Sequence, residues 1–116
     1  MRLHKCRKVE NYLLEKNLID GRRIWCYAQV KAYVSSQNIY GLALICIKDG
    51  ELFIYNTEYN STELELFYSC KISDLKCIVA EKKLFATRLT FMVVEDSFRL
   101  DMDEWKRFSS VFEGEL

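Results

Sequence analysis

The sequence predicts a mainly β (α+β) fold: a small, partly open barrel plugged by one C-terminal helix. Three observations predict it. Between residues 24 and 101 the chain passes through seven short strand-like runs separated by polar turns. Residues 103–113 then place Trp105, Phe108 and Phe112 at helical spacing, i, i+3 and i+7. Finally, the 116 residues contain no proline, linker, repeat or low-complexity stretch, which suits one compact unit.

Residues 5–19 read as a helix ahead of the barrel. Val9, Leu13 and Leu14 share a face, Tyr12 and Leu18 widen it, and Asp20-Gly21 ends it. Residues 24–34 are long, aromatic and β-branched, which favours a first strand, and Ser35-Ser36-Gln37-Asn38 reads as a turn. Residues 42–47 form a second strand that is apolar on both faces. Asp49-Gly50 then tolerates the positive φ angles of a tight hairpin, and residues 52–55 return from it.

After a polar loop over residues 56–62, alternation puts Leu64, Leu66, Tyr68, Cys70 and Ile72 on one face of a half-buried strand. Ser73-Asp74 ends that strand. Residues 75–80 read as the fifth strand and residues 84–94 as the sixth, joined by a turn at Glu81-Lys82-Lys83. A turn over residues 95–97 leads to a short seventh strand at residues 98–100. Asp101 or Asp103 can cap the closing helix and complement its dipole. The expected division is an N-terminal helical segment, residues 1–21, packed on or extending from a barrel with its capping helix, residues 22–116. Within that helix Trp105 is expected in the core, so that Trp105→Ala costs about 3–5 kcal/mol.

Two segments carry a family resemblance. Residues 42–55 form an apolar strand, the Lys48-Asp49-Gly50-Glu51 turn and an apolar return. Cys70-Lys71-Ile72-Ser73-Asp74-Leu75-Lys76-Cys77-Ile78 has a polar position followed by apolar residues at spaced intervals. With the order of seven strands and a final helix, these resemble the pleckstrin-homology-like (PH-like, GRAM-like) barrel superfamily, in its bacterial form, over residues 22–113. The resemblance implies two near-orthogonal antiparallel sheets, one end capped by the helix, and binding at the open end or along a strand edge. Many members bind phosphoinositides through basic residues beside the first hairpin. Here the Ser35-Ser36-Gln37-Asn38 connection has no cation, and after Lys31 the next basic residue is Lys48. Protein–protein recognition, another common use of the family, survives that departure.

Composition narrows function further. Seventeen basic and seventeen acidic residues cancel, so no global field gathers nucleic acid, which is not an expected partner. No apolar run approaches the roughly 20 residues that span a bilayer. No apolar signal core follows the basic start Met1-Arg2-Leu3-His4-Lys5, and the expectation is a cytoplasmic protein. The five cysteines are odd in number and form no CxxC pair, which reads as reduced, structural thiols. A disulfide framework or a zinc site is the competing reading, with His4 the one histidine. No cofactor is expected.

Nothing resembles a nucleophile–base pair. His4 lies near the chain start, and Glu63 and Glu65 share a strand face as a wet surface would. An enzyme is not expected. Two basic groups, Arg2, Lys5, Arg7 and Lys8 together with Arg22 and Arg23, are candidate contacts for an anionic lipid or other anion. The outward side chains of the doubly apolar strands, Leu42, Leu44, Met92 and Val94, are candidates for an interface. The N-terminal helix could cover them instead, through Val9, Leu13 and Leu14. The expectation from sequence is a binding or assembly module with a protein partner or a second copy of itself. A peripheral contact with anionic lipid is the alternative.

Overall fold

The computed structural model describes residues 7–112. It comprises helix α1 (Arg7–Glu15), strands β1 (Trp25–Val34), β2 (Gln37–Lys48), β3 (Glu51–Asn56) and β4 (Glu65–Lys71), and a single 3-10 turn (Ile72–Asp74). Strands β5 (Lys76–Lys82), β6 (Thr87–Val93) and β7 (Asp96–Met102) and helix α2 (Lys106–Phe112) follow. All seven strands belong to one antiparallel sheet in the order β4-β3-β2-β1-β7-β6-β5. β1 is its centre, paired with β2 along its whole length and with β7 from residue 28 to 33.

One face of the sheet builds the main core. Cys26, Ala28, Val30 and Ala32 of β1 alternate into it, as do Ala43, Ile45 and Ile47 of β2 and Leu89, Phe91 and Val93 of β6. Phe108 and Phe112 of α2, both fully buried, close it. A second cluster lies on the opposite face, where Val9 and Leu13 of α1 and nearby Ile19 cover Trp25, Tyr27, Leu44, Cys46 and Tyr55. The apolar excess of β2 is therefore covered from within the chain.

Several boundaries differ from the sequence reading, each for a local reason. α1 stops at Glu15 because Asn17 adopts a left-handed φ of 61°. The Leu18 amide then donates to the Leu13 carbonyl at 2.8 Å and the Asn17 amide to the Leu14 carbonyl at 3.1 Å, a Schellman closure. Leu18 thus lies beyond the helix yet packs on the same cluster as Leu13. The first turn shrinks to Ser35-Ser36, both at positive φ (52° and 64°), so residues 37–41 belong to β2.

A bulge also corrects the fourth strand. The register shifts between Ile54 and Tyr55, leaving Phe67 as the extra residue and turning Leu66 to the same side as Tyr55. Leu66 is half exposed instead of sharing the inward face of Tyr68, Cys70 and Ile72. Residues 83–86 form the β5–β6 turn, so Leu84 and Phe85 leave the sixth strand and stand out in solvent. Val94 sits in the β6–β7 turn at φ 55°, and β7 extends well beyond residues 98–100. The last helix starts at Lys106, and Trp105 just ahead of it is only partly buried, stacked 5.7 Å from Phe112. The fully buried tryptophan is Trp25.

Candidate functional site

The outward residues of β1 run Trp25, Tyr27, Gln29, Lys31 and Tyr33, and they pass from beneath α1 into solvent. α1 is held over the first part by polar bonds as well as by packing. The Trp25 indole N–H donates to Glu10 Oε1 at 2.9 Å. Arg23 lies 3.5 Å and Arg107 4.0 Å from the same carboxylate, and Arg107 also donates to the Arg23 carbonyl at 2.9 Å. Glu10 thus links α1, the start of β1 and α2.

From Gln29 onward the outer face is open. Antiparallel register sets its residues in rows across the sheet. Lys31 lies opposite Tyr40 of β2 and Arg99 of β7, and Arg99 lies opposite Thr90 of β6. In the next row Tyr33 faces Asn38 and Ser97, and Ser97 faces Met92. All of these residues except Tyr40, which stands just outside beside Lys31, line a shallow groove of about 480 Å³ that reaches Cys77 on β5. Its apolar surfaces are unusually accessible: Tyr40 is 67% exposed at the rim, Tyr33 44% and Met92 38%.

The electrostatics of this face are uneven. In the row next to the groove, Arg88 donates to both oxygens of Asp101, at 2.7 and 3.2 Å, and that bond holds the Asp101 carboxyl below its ordinary range. Asp96, at the start of β7 and on the opposite parity from Arg99, accepts from the Ser35 amide at 3.1 Å and from the Tyr68 hydroxyl at 3.3 Å. Lys31 and Arg99, in contrast, have no carboxylate within 4.0 Å among the described residues. Lys31 stands 5.9 Å from the centroid of the Tyr40 ring, within cation–π range.

The residues singled out from sequence fall in several places. Arg2 and Lys5 lie outside the described residues. Arg7 and Lys8 are exposed on α1. Arg22 is engaged by Asp20 at 2.9 Å and Arg23 by Glu10, so these two cations are already committed within the chain. Leu44 is fully buried beneath α1, Leu42 is half-buried at the border, and Met92 and Val94 are accessible. Only Met92 of that set lines the groove. Tyr40 and Arg99 were not legible as site residues. The signal for Tyr40 is the outward parity of β2, whose start the sequence placed at residue 42 instead of 37, whereas Arg99 stood within the expected seventh strand, between Phe98 and Leu100.

His4 lies outside the described residues. Burial pushes the Cys46 thiol up to about 12 and the Cys70 thiol up to about 11, which keeps both protonated and poorly nucleophilic. Glu63 and Glu65 are exposed loop and strand residues. Among the described residues no three His, Cys, Asp or Glu side chains are grouped to hold a metal, and no helix is long and apolar enough to cross a membrane. No protein-family model matches this chain, and no curated protein matches it.

Proposed function

We propose that this chain is a PH-like binding module, without chemistry of its own, that takes a protein partner on the open part of its outer sheet face. The strand order supports the barrel part of the reading. β4 and β5 are opposite edges of the pairing order, yet only residues 72–75 join them. Four extended residues reach ~14 Å, whereas six strand spacings laid flat span ~29 Å. A sheet so linked has to curl until its edges approach, and α2 closes the apolar face inside the curl.

One observation carries the functional part: a groove that combines exposed tyrosine and methionine with two uncommitted cations, on a sheet face that α1 leaves bare. Exposed aromatic and apolar surface beside polar groups is how protein interfaces differ from ordinary surface. A symmetric contact centred on Lys31 and Arg99 would set both near their own counterparts. That repulsion disfavours self-association in this one symmetric arrangement.

Affinity capture compares the wild-type chain with Lys31→Glu/Tyr40→Ala/Arg99→Glu and with an α1 control, Arg7→Glu/Lys8→Glu. The reading expects proteins retained by wild type and by the α1 control but lost by the face variant. Loss on the α1 variant alone, with binding to anionic vesicles that this variant abolishes, would instead establish the lipid alternative.

A further inference from the structure

We infer that the groove reads an extended acidic segment, seating an Asp or Glu side chain between Lys31 and Arg99 while an adjacent apolar or aromatic residue packs on Tyr33 and Met92. The inference rests on the reading of this face as a protein-binding surface, and it names the chemistry of the partner.

One cross-strand pair on this face is unfavourable. Lys31 and Arg99 are direct cross-strand partners on β1 and β7. Like charges placed directly opposite in an antiparallel pair are destabilising. A nearby carboxylate would offset such a pair, and the one in the neighbouring row of this face, Asp101, is already engaged. Asp101 feels Arg99, but both its oxygens accept from Arg88. An added carboxylate would offset two cations at once, each able to give a charge-assisted hydrogen bond.

The walls of the groove select among anions. Tyr33 and Met92 occupy the row beside the cation pair, and Tyr40 stands at its rim. A volume of about 480 Å³ accommodates a few side chains. A nucleic-acid strand presents a run of phosphates and is held by a stripe of cations. This groove offers two, in a chain whose formal net charge is +0. A bilayer surface is met by a protruding patch, whereas these cations line a recess. A short extended peptide with alternating acidic and apolar positions fits both the charges and the walls.

The test is selection from a phage-displayed library of random linear peptides on the immobilised full chain. Binding of individual selected peptides is then measured by fluorescence anisotropy. The inference expects selected peptides rich in Asp and Glu next to Phe, Tyr, Leu or Met. It also expects Lys31→Gln/Arg99→Gln to weaken them roughly tenfold or more, as loss of a charge-assisted hydrogen bond does, with further weakening at high salt. All four substituted positions are exposed or half-buried, and far-ultraviolet circular dichroism verifies that each variant is folded.

Peptides without acidic preference that are lost on Tyr33→Ala/Met92→Ala would overturn the acidic specificity and leave the protein-binding face standing. Peptides indifferent to both variants, or none selected, would overturn the specificity and the reading of the face together. Oligothymidylate or phosphatidylserine vesicles bound through Lys31 and Arg99 in place of peptide would replace the proposed occupant with a nucleic acid or a membrane.

Discussion

The indole nitrogen of Trp25 and the Glu10 carboxylate meet at 2.9 Å, joining the outer face of β1 to the inner face of α1. Trp25 is fully buried, and its bond runs through the cluster that fixes where α1 ends and the open face begins. The extent of the candidate binding surface therefore depends on how firmly this contact holds.

Trp25 and Trp105 should respond very differently to truncation. Trp25→Ala removes a large side chain from a closed cluster and is expected to destabilise by about 3–5 kcal/mol. Trp105 is partly buried and stacks on Phe112, so Trp105→Ala should cost less, about 1–2 kcal/mol. Glu10→Ala leaves the indole N–H without this acceptor and should cost about 1–3 kcal/mol. Urea denaturation measures all three, and a larger loss for Trp105→Ala than for Trp25→Ala would reverse the assignment of the core tryptophan.

Val94 is a β-branched residue held at φ 55° in the β6–β7 turn, with 87% of its surface exposed. Its side chain contributes little packing there, while its backbone conformation costs on the order of 1 kcal/mol. Val94→Asn, which tolerates that conformation, should raise stability by about 1 kcal/mol and the Tm by a few degrees. A lower Tm would mean that Val94 makes contacts which its exposure does not indicate.

Acid stability should depend on Asp101. Its hydrogen bonds from Arg88 lower its folded-state pKa beneath the ordinary value of 3.8. Such a group contributes stability that is fully present above 3.8 and is lost as pH falls through the lower folded value. Asp101→Asn should therefore be less stable than wild type near neutrality, and the gap should narrow as the pH drops below about 4. Thermal melts across the acid range follow the gap, and a constant difference would place the effect in something other than this titration.

Thiol labelling should rank the cysteines by burial. In a Cys6→Ser background, exposed Cys77 is expected to react with Ellman's reagent at neutral to mildly alkaline pH within the native state. Cys26 and Cys46 are buried, and the Cys46 thiol titrates only near 12, so both should wait for unfolding. Peptide mapping of the labelled protein distinguishes these sites, and rapid labelling of Cys46 would mean that α1 lifts readily from the sheet.

The parts of the fold that were legible in the sequence are those whose chemistry is local. Asp49-Gly50 adopts φ 52° and 75°, as that dipeptide foretells, and all seven strands form. Ser35-Ser36 makes a two-residue turn of the same kind with residues that carry no such preference, so the start of β2 was hidden. The bulge at Phe67 is a decision of pairing between strands, and the alternation of β4 cannot announce it. Both tryptophans lie in apolar periodic segments, and periodicity alone does not say which one a helix will cover. The open face was obscured for a related reason. Its lysine, arginine and tyrosines look like an ordinary wet face until register sets Lys31 opposite Arg99 and brings Tyr40 and Met92 to the flanking positions.

The most direct test is a nuclear magnetic resonance titration of the isotope-labelled chain with the acidic peptide that binds it most tightly. The account predicts amide shift changes concentrated at residues 29–33, 88–92 and 97–101, with α1 and β4 unmoved, and their disappearance in Lys31→Gln/Arg99→Gln. Changes centred on α1, or on the β4 edge, in a chain whose open face stays silent would contradict it.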